Sequence, residues 1–260
     1  MNSFISVDFS QPITYILLAI VVVAGVVITM LSYRLLNAIP AKWLCDYDEE
    51  PDETLLGIRY NFKQSGIYTS ALFAIFLSLC YTVFGISLYT IFLMMICFVL
   101  LLITLADCKY TIIPDQFVVA LAILCIGMGV YDLCSMQYFI SQWWHIPVGA
   151  ICGGGFLLII NILSLVIFKK HGMGFGDVKL MAAFGACIGF PKVFIALLLS
   201  VIVAFVFIIG KVIFNTVTKK DDSNYFPFGP FLCIASISTI LFDFYINAGV
   251  QWYLSLITIN

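Results

Sequence analysis

Eight apolar stretches, most of them about as long as a bilayer is thick, restrict this chain more than any other feature. A helix needs roughly 20 apolar residues to cross the hydrocarbon core. The stretches fall at 13–32, 67–86, 88–106, 116–133, 146–168, 178–190, 193–214 and 229–248. They are continuous rather than alternating, which argues against a β-barrel. The chain is 63% hydrophobic and 10% charged, where a soluble domain of this size carries about a quarter charged residues. These features predict an all-α, polytopic membrane protein of about eight transmembrane helices, with residues 1–260 forming one integral-membrane domain.

The first stretch is too long for the apolar core of a signal peptide, and no basic segment precedes it, so it is read as a retained span. The sixth stretch is short; extension into its flanks and partial insertion are both open for it. Arg34, Lys42, Arg59, Lys63, Lys109, Lys169, Lys170, Lys179, Lys211, Lys219 and Lys220 share one face if eight spans start from an outside N-terminus; Lys192 alone lies on the other. The positive-inside rule makes the crowded face cytoplasmic. The one sizeable polar segment, 34–66, is then a cytoplasmic loop. It holds six acids in eight residues, Asp46 to Glu53, which is either a solvated run or a patch for a basic partner. Nine cysteines are scattered without a Cys-x-x-Cys pair, so neither a disulfide framework nor a zinc site is expected. The two histidines, His145 and His171, fall on opposite faces. No basic patch or nucleotide loop points to nucleic acid.

Two aspartates stand where apolar runs meet polar ones: Asp107, in Ala106-Asp-Cys-Lys-Tyr-Thr-Ile-Ile-Pro-Asp115, and Asp177, in Gly172-Met-Gly-Phe-Gly-Asp177. Charge counting puts both at the cytoplasmic boundary, and a charge there is costly unless solvated, paired or used. Two carboxylates in close approach share one proton, so the ionised one can activate water while the protonated one donates to a carbonyl oxygen. No metal is needed for that chemistry. Gly174 and Gly176 leave room beside Asp177 for a substrate backbone. Asp115 follows Pro114 at a helix start, and on local features Asp107 and Asp115 could exchange roles.

Three segments together resemble the bacterial type IV prepilin peptidases, membrane aspartic proteases of the Gly-x-Gly-Asp class. They are Asp107 to Asp115, Gly172-Met-Gly-Phe-Gly-Asp-Val-Lys-Leu180, and Phe226-Pro-Phe-Gly-Pro-Phe-Leu232. The resemblance covers about residues 67–250. It implies Asp107 and Asp177 as the catalytic pair, with Gly174, Gly176, Pro114, Asp115 and Lys179 supporting or binding substrate. It also implies a bacterial inner membrane location and removal of a basic leader from type IV prepilins, or from pseudopilins of type II secretion, at the cytoplasmic face. Many members also methylate the new N-terminus with S-adenosylmethionine. Many carry paired Cys-x-x-Cys motifs in the first cytoplasmic loop; here that loop contains only Cys45, so no metal is expected. The competing readings are a Gly-x-Gly-Asp protease for other substrates, and a proton-coupled transporter with Asp107 and Asp177 as relay groups.

Overall fold

A computed structural model of the protein describes residues 7–45, 59–136, 138–169, 172–218 and 227–258. The acidic run Asp46 to Glu53 and His171 lie outside the described residues. The described chain folds into helices α1 (Pro12–Ala38), α2 (Phe62–Phe84), α3 (Leu88–Tyr110), α4 (Asp115–Tyr131), α5 (His145–Phe168), α6 (Phe175–Ile188), α7 (Lys192–Thr218), α8 (Gly229–Leu241) and α9 (Asp243–Thr258). No strand occurs among the described residues.

Each of the eight stretches expected from the sequence contains a helix, but two differ from a simple crossing. Six helices are long and apolar enough to cross a membrane, and the bent pair α8–α9 brings the number to seven. The sixth stretch is α6, of only 14 residues. The eighth breaks at Phe242, where α8 and α9 diverge by 77°. Asp243, at the first position of α9, pairs with Lys192 at 2.8 Å, so the chain turns where a carboxylate has a cation to meet.

The core explains the arrangement. α8 is almost wholly buried, and so is most of α6. α6 packs against α4 and α5, and α8 against α3 and α7. α1, α5 and α7 present long apolar faces outward, as lipid-facing helices do. At Gly149, Gly153 and Gly185 the backbones of α5 and α6 meet without a side chain between them. A Cβ at Gly153 would lie 2.6 Å from the Met181 carbonyl oxygen, and Gly149 and Gly185 sit backbone to backbone. Small residues let membrane helices approach this closely.

The expected loop 34–66 is helical at both ends. α1 runs to Ala38 and α2 starts at Phe62. Asn37 closes its described ends: its Oδ1 accepts from the Arg59 and Tyr60 amides at 2.9 and 2.8 Å, and its Nδ2 donates to the Tyr60 carbonyl. The buried Arg59 guanidinium donates to the Leu36 and Ile39 carbonyls, which have no helical partner at the end of α1.

Candidate active site

Helix ends build the site. α3 carries Asp107 in its last turn and stops at Tyr110. Thr111 adopts a left-handed conformation (φ 57°) and returns its N–H to the Asp107 carbonyl at 2.9 Å, a left-handed cap that reverses the chain. Pro114 then starts α4. Its fixed φ suits a helix entry, and its carbonyl accepts from the Phe117 and Val118 amides. Ile112 and Ile113 lie between these two ends.

Asp177 is the third residue of α6, after Gly174 at the cap. Gly229 is the first residue of α8. The Gly229 N–H donates to Asp107 Oδ2 at 3.0 Å across 122 residues of sequence. A helix start has free N–H groups, and one of them is spent here on a buried carboxylate. Position 229 has no room for a side chain: a Cβ would stand 2.5 Å from Asp107 Oδ2. Ile113 fills the space between the two glycines: a Cβ at Gly176 would lie 2.8 Å from it, and a Cβ at Gly229 would lie 3.3 Å from it.

Asp107 and Asp177 are both buried, at 5% and 6% exposure. Gly229, bonded to Asp107, and Gly176, next to Asp177, both lie against Ile113. Asp177 Oδ1 has no hydrogen-bond partner among the described residues. A buried carboxylate oxygen without a donor is costly and marks a place where a ligand or reactant completes the site. The Gly229 N–H thus orients the Asp107 carboxylate, and one oxygen of Asp177 has no protein donor among the described residues.

Asp115 is placed differently. It is about a third exposed and takes both Oδ atoms to Lys179 Nζ, at 2.7 and 2.9 Å. The pair ties the start of α4 to the second turn of α6. Local sequence features leave Asp107 and Asp115 exchangeable; in the structure Asp107 is buried and accepts from the Gly229 N–H, whereas Asp115 is partly exposed and holds a lysine. Lys179 also lies 5.1 Å from the Phe175 ring centre.

Two contacts escape sequence reasoning. Gly229 is visible as part of Phe226-Pro-Phe-Gly-Pro, but its partner is far away in sequence. Tyr60 donates from its hydroxyl to the Leu105 carbonyl at 3.1 Å, and Lys109 lies over its ring, so the end of the first loop rests on the turn that carries Asp107. No periodicity signals such a contact.

At the opposite end of the bundle, Asp132 accepts from the Tyr138, Phe139 and Ile140 amides, and Lys192 donates to the Tyr138 carbonyl. Lys192, the one cation that charge counting set apart, lies at this far end.

The profile of the type IV leader peptidase family matches residues 94–209. A prepilin leader peptidase/N-methyltransferase of Aeromonas salmonicida is 32% identical over 169 residues, 63% of this chain and 52% of that protein. One from Legionella pneumophila is 31% identical over 175 residues, 66% of this chain and 55% of its own length. The leader peptidase HopD of Escherichia coli is 32% identical over 136 residues, 52% of this chain and 81% of HopD. The chain spans about half the length of the N-methyltransferase-named relatives it matches. No solved structure matches it.

Proposed function

Because the chain belongs to the type IV leader peptidase family, we propose that it is a multi-pass membrane aspartic endopeptidase that removes the basic leader of type IV prepilins or pseudopilins. Asp107 and Asp177 are the catalytic pair. The observation that carries this reading is their burial at facing helix ends, with Gly229 N–H on one carboxylate and an unpartnered oxygen on the other.

The chemistry follows from the pair. One carboxylate is ionised and takes a proton from water as the oxygen attacks the scissile carbonyl. The other is protonated and donates to the carbonyl oxygen, giving a tetrahedral diol; as the C–N bond breaks, the first carboxylate gives the proton it took from water to the leaving amine, and a diol hydroxyl returns its proton to the second. Gly229 N–H fixes the Asp107 carboxylate, so that group is oriented before substrate arrives. Rates fall at low pH, where both groups hold protons, and at high pH, where neither does.

The active site lies at the cytoplasmic face of the bacterial inner membrane; the distribution of Arg and Lys supports this orientation. The acidic run Asp46 to Glu53 meets the basic leader by charge complementarity. Reversing Asp48, Glu49 and Glu50 raises KM; an unchanged KM removes that role. Relatives named N-methyltransferases set the second activity to test, transfer of a methyl group from S-adenosylmethionine to the new N-terminus.

The decisive experiment incubates the purified protein in liposomes with a prepilin and resolves the products by mass. Leader loss with the native chain, absent in both Asp107→Asn and Asp177→Asn, is expected, because Asn is nearly isosteric but supplies no ionised base. Asp115→Asn keeps substantial activity. An active Asp107→Asn beside a dead Asp115→Asn would overturn the assignment. An added methyl mass with S-adenosylmethionine identifies the second activity.

A further inference from the structure

Two helices of the buried centre are too short for the bilayer they stand in. α6 and α8, with 14 and 13 residues, rise only about 20 Å, against about 30 Å of hydrocarbon. Each nevertheless joins the two polar ends of the bundle. α6 runs from Asp177 to Gly189, which abuts Ile140 and His145. α8 runs from Gly229 at Asp107 to the Asp243–Lys192 pair. α3 covers about 27 Å between Tyr89 and Asp107, and so leans across the same two layers.

The neighbouring helices do not stop at the carboxylates. α5 is in register with α6 through Gly153 beside Met181 and Gly154 beside Val178, and Gly172 touches Ser164. Asp177 therefore sits near the level of residues 157–161. From there α5 continues for about 10 Å. Its last turns are apolar and bare: Val166 and Phe168 are each 71% exposed, and the first cation is Lys169. α7 repeats the pattern. Phe207 stacks near Phe231 at 5.2 Å, which sets Gly229 near residue 209. Val212, Ile213 and Phe214 lie beyond it and are each more than half exposed. Lys211 is half-buried, and its stem is long enough to carry its charge to the surface. On the other side, α3 ends one turn past Asp107, and the Asp115–Lys179 pair is partly exposed.

We propose that lipid acyl chains cover the projecting ends of α5 and α7. The carboxylates then lie about 10 Å below the level at which those helices leave the hydrocarbon, on the floor of a recess open toward α3 and α4. The partner is the bilayer itself, and its thickness sets how deep the recess is. The consequence for catalysis rests on the peptidase reading: a substrate must bring the junction between its polar leader and its apolar helix down into the recess. Thin bilayers shorten that path.

The test uses the native chain in proteoliposomes containing a phosphatidylcholine with a photoreactive diazirine on its acyl chain, followed by peptide mapping. Adducts are expected at 162–168 and 212–214, besides the control positions Ile151 and Leu198 in the outer halves. Labelling of the control positions alone overturns the recess, whether water or a second copy covers those ends. In parallel, prepilin cleavage is measured in bilayers of short dimyristoleoyl and long dierucoyl lipids. Mismatch costs fractions of a kcal/mol per Å, so cleavage should be about tenfold faster in the thin bilayer. Equal rates overturn the dependence on thickness. No cleavage in any bilayer, with the adducts in place, sinks the peptidase reading and leaves the recess standing.

Discussion

Adding one carbon at position 229 would put a Cβ 2.5 Å from Asp107 Oδ2, closer than atoms tolerate, so the carboxylate must turn away or α8 must retreat. Either movement breaks the hydrogen bond from the Gly229 amide and shifts the Asp107 carboxylate. A misplacement of about 1 Å at a reacting group costs on the order of a hundredfold in rate. Gly229→Ala should therefore lower kcat by about that factor while leaving KM nearly unchanged, as steady-state cleavage of a prepilin would reveal. A large rise in KM with kcat intact would mean that Gly229 contacts substrate rather than the carboxylate. The Asp115–Lys179 pair predicts a milder outcome. Ion pairs this exposed contribute about 0–1 kcal/mol, so Asp115→Asn should move the unfolding midpoint little. The residue scale also shows what local sequence can reveal. Asp107, Asp177 and the glycines before Asp177 are legible, because each marks a polar interruption of an apolar run. The Gly229–Asp107 bond is not, because its partners are 122 positions apart and hydrophobic patterning carries no record of which helix start meets which helix end.

Elements carry the precision of the site, above all the α5–α6 pair that holds Asp177. Glycines of one helix can be told apart by what surrounds them. A Cβ at Gly153 would meet the Met181 carbonyl oxygen at 2.6 Å and a Val193 methyl at 2.9 Å, whereas a Cβ at Gly155 meets nothing within 4 Å. Gly153→Ala should then destabilise the protein by about 1–3 kcal/mol through overpacking. Gly155→Ala should stabilise it by up to about 1 kcal/mol, since it removes a helix-interior glycine without a clash. Thermal unfolding in detergent separates the two, and equal effects would show that α5 and α6 do not pack at this distance. The sequence makes the helix identities clear through long apolar runs. It does not show that α6 is a buried strut. Its shortness is legible at 178–190, but its burial is not, because its composition is that of any apolar segment and α4, which packs against it, is far away in sequence.

At the scale of the whole molecule, the polar groups sort into two layers. Asp107, Asp115, Asp177 and Lys179 gather at one end. Asp132, Lys192 and Asp243 gather at the other. Counting cations in the sequence separates Lys192 from the rest, and the fold puts it at the far end, because a bundle of antiparallel helices turns charge spacing directly into depth. The break at Phe242 escapes that reading: the run 229–248 is apolar throughout its first half, and only Asp243 hints that it turns. Lys192 and Asp243 are mostly buried and 2.8 Å apart, and they join the starts of α7 and α9. Removing one partner strands a charge in a poorly solvated place. A hydrogen-bonded charged group of this kind is worth about 1.5–3 kcal/mol, so Asp243→Asn and Lys192→Met should each lower stability by that amount. The site is about 20 Å away at the other end of α6 and α8, so cleavage per folded molecule should stay close to native. The exchange Lys192→Asp with Asp243→Lys tests whether the attraction itself is responsible, and recovery of the unfolding midpoint in the double variant is the expected result. If either single variant loses catalysis while its unfolding midpoint is unchanged, the two layers are coupled through α6 or α8 and the far end takes part in setting the geometry of the carboxylates.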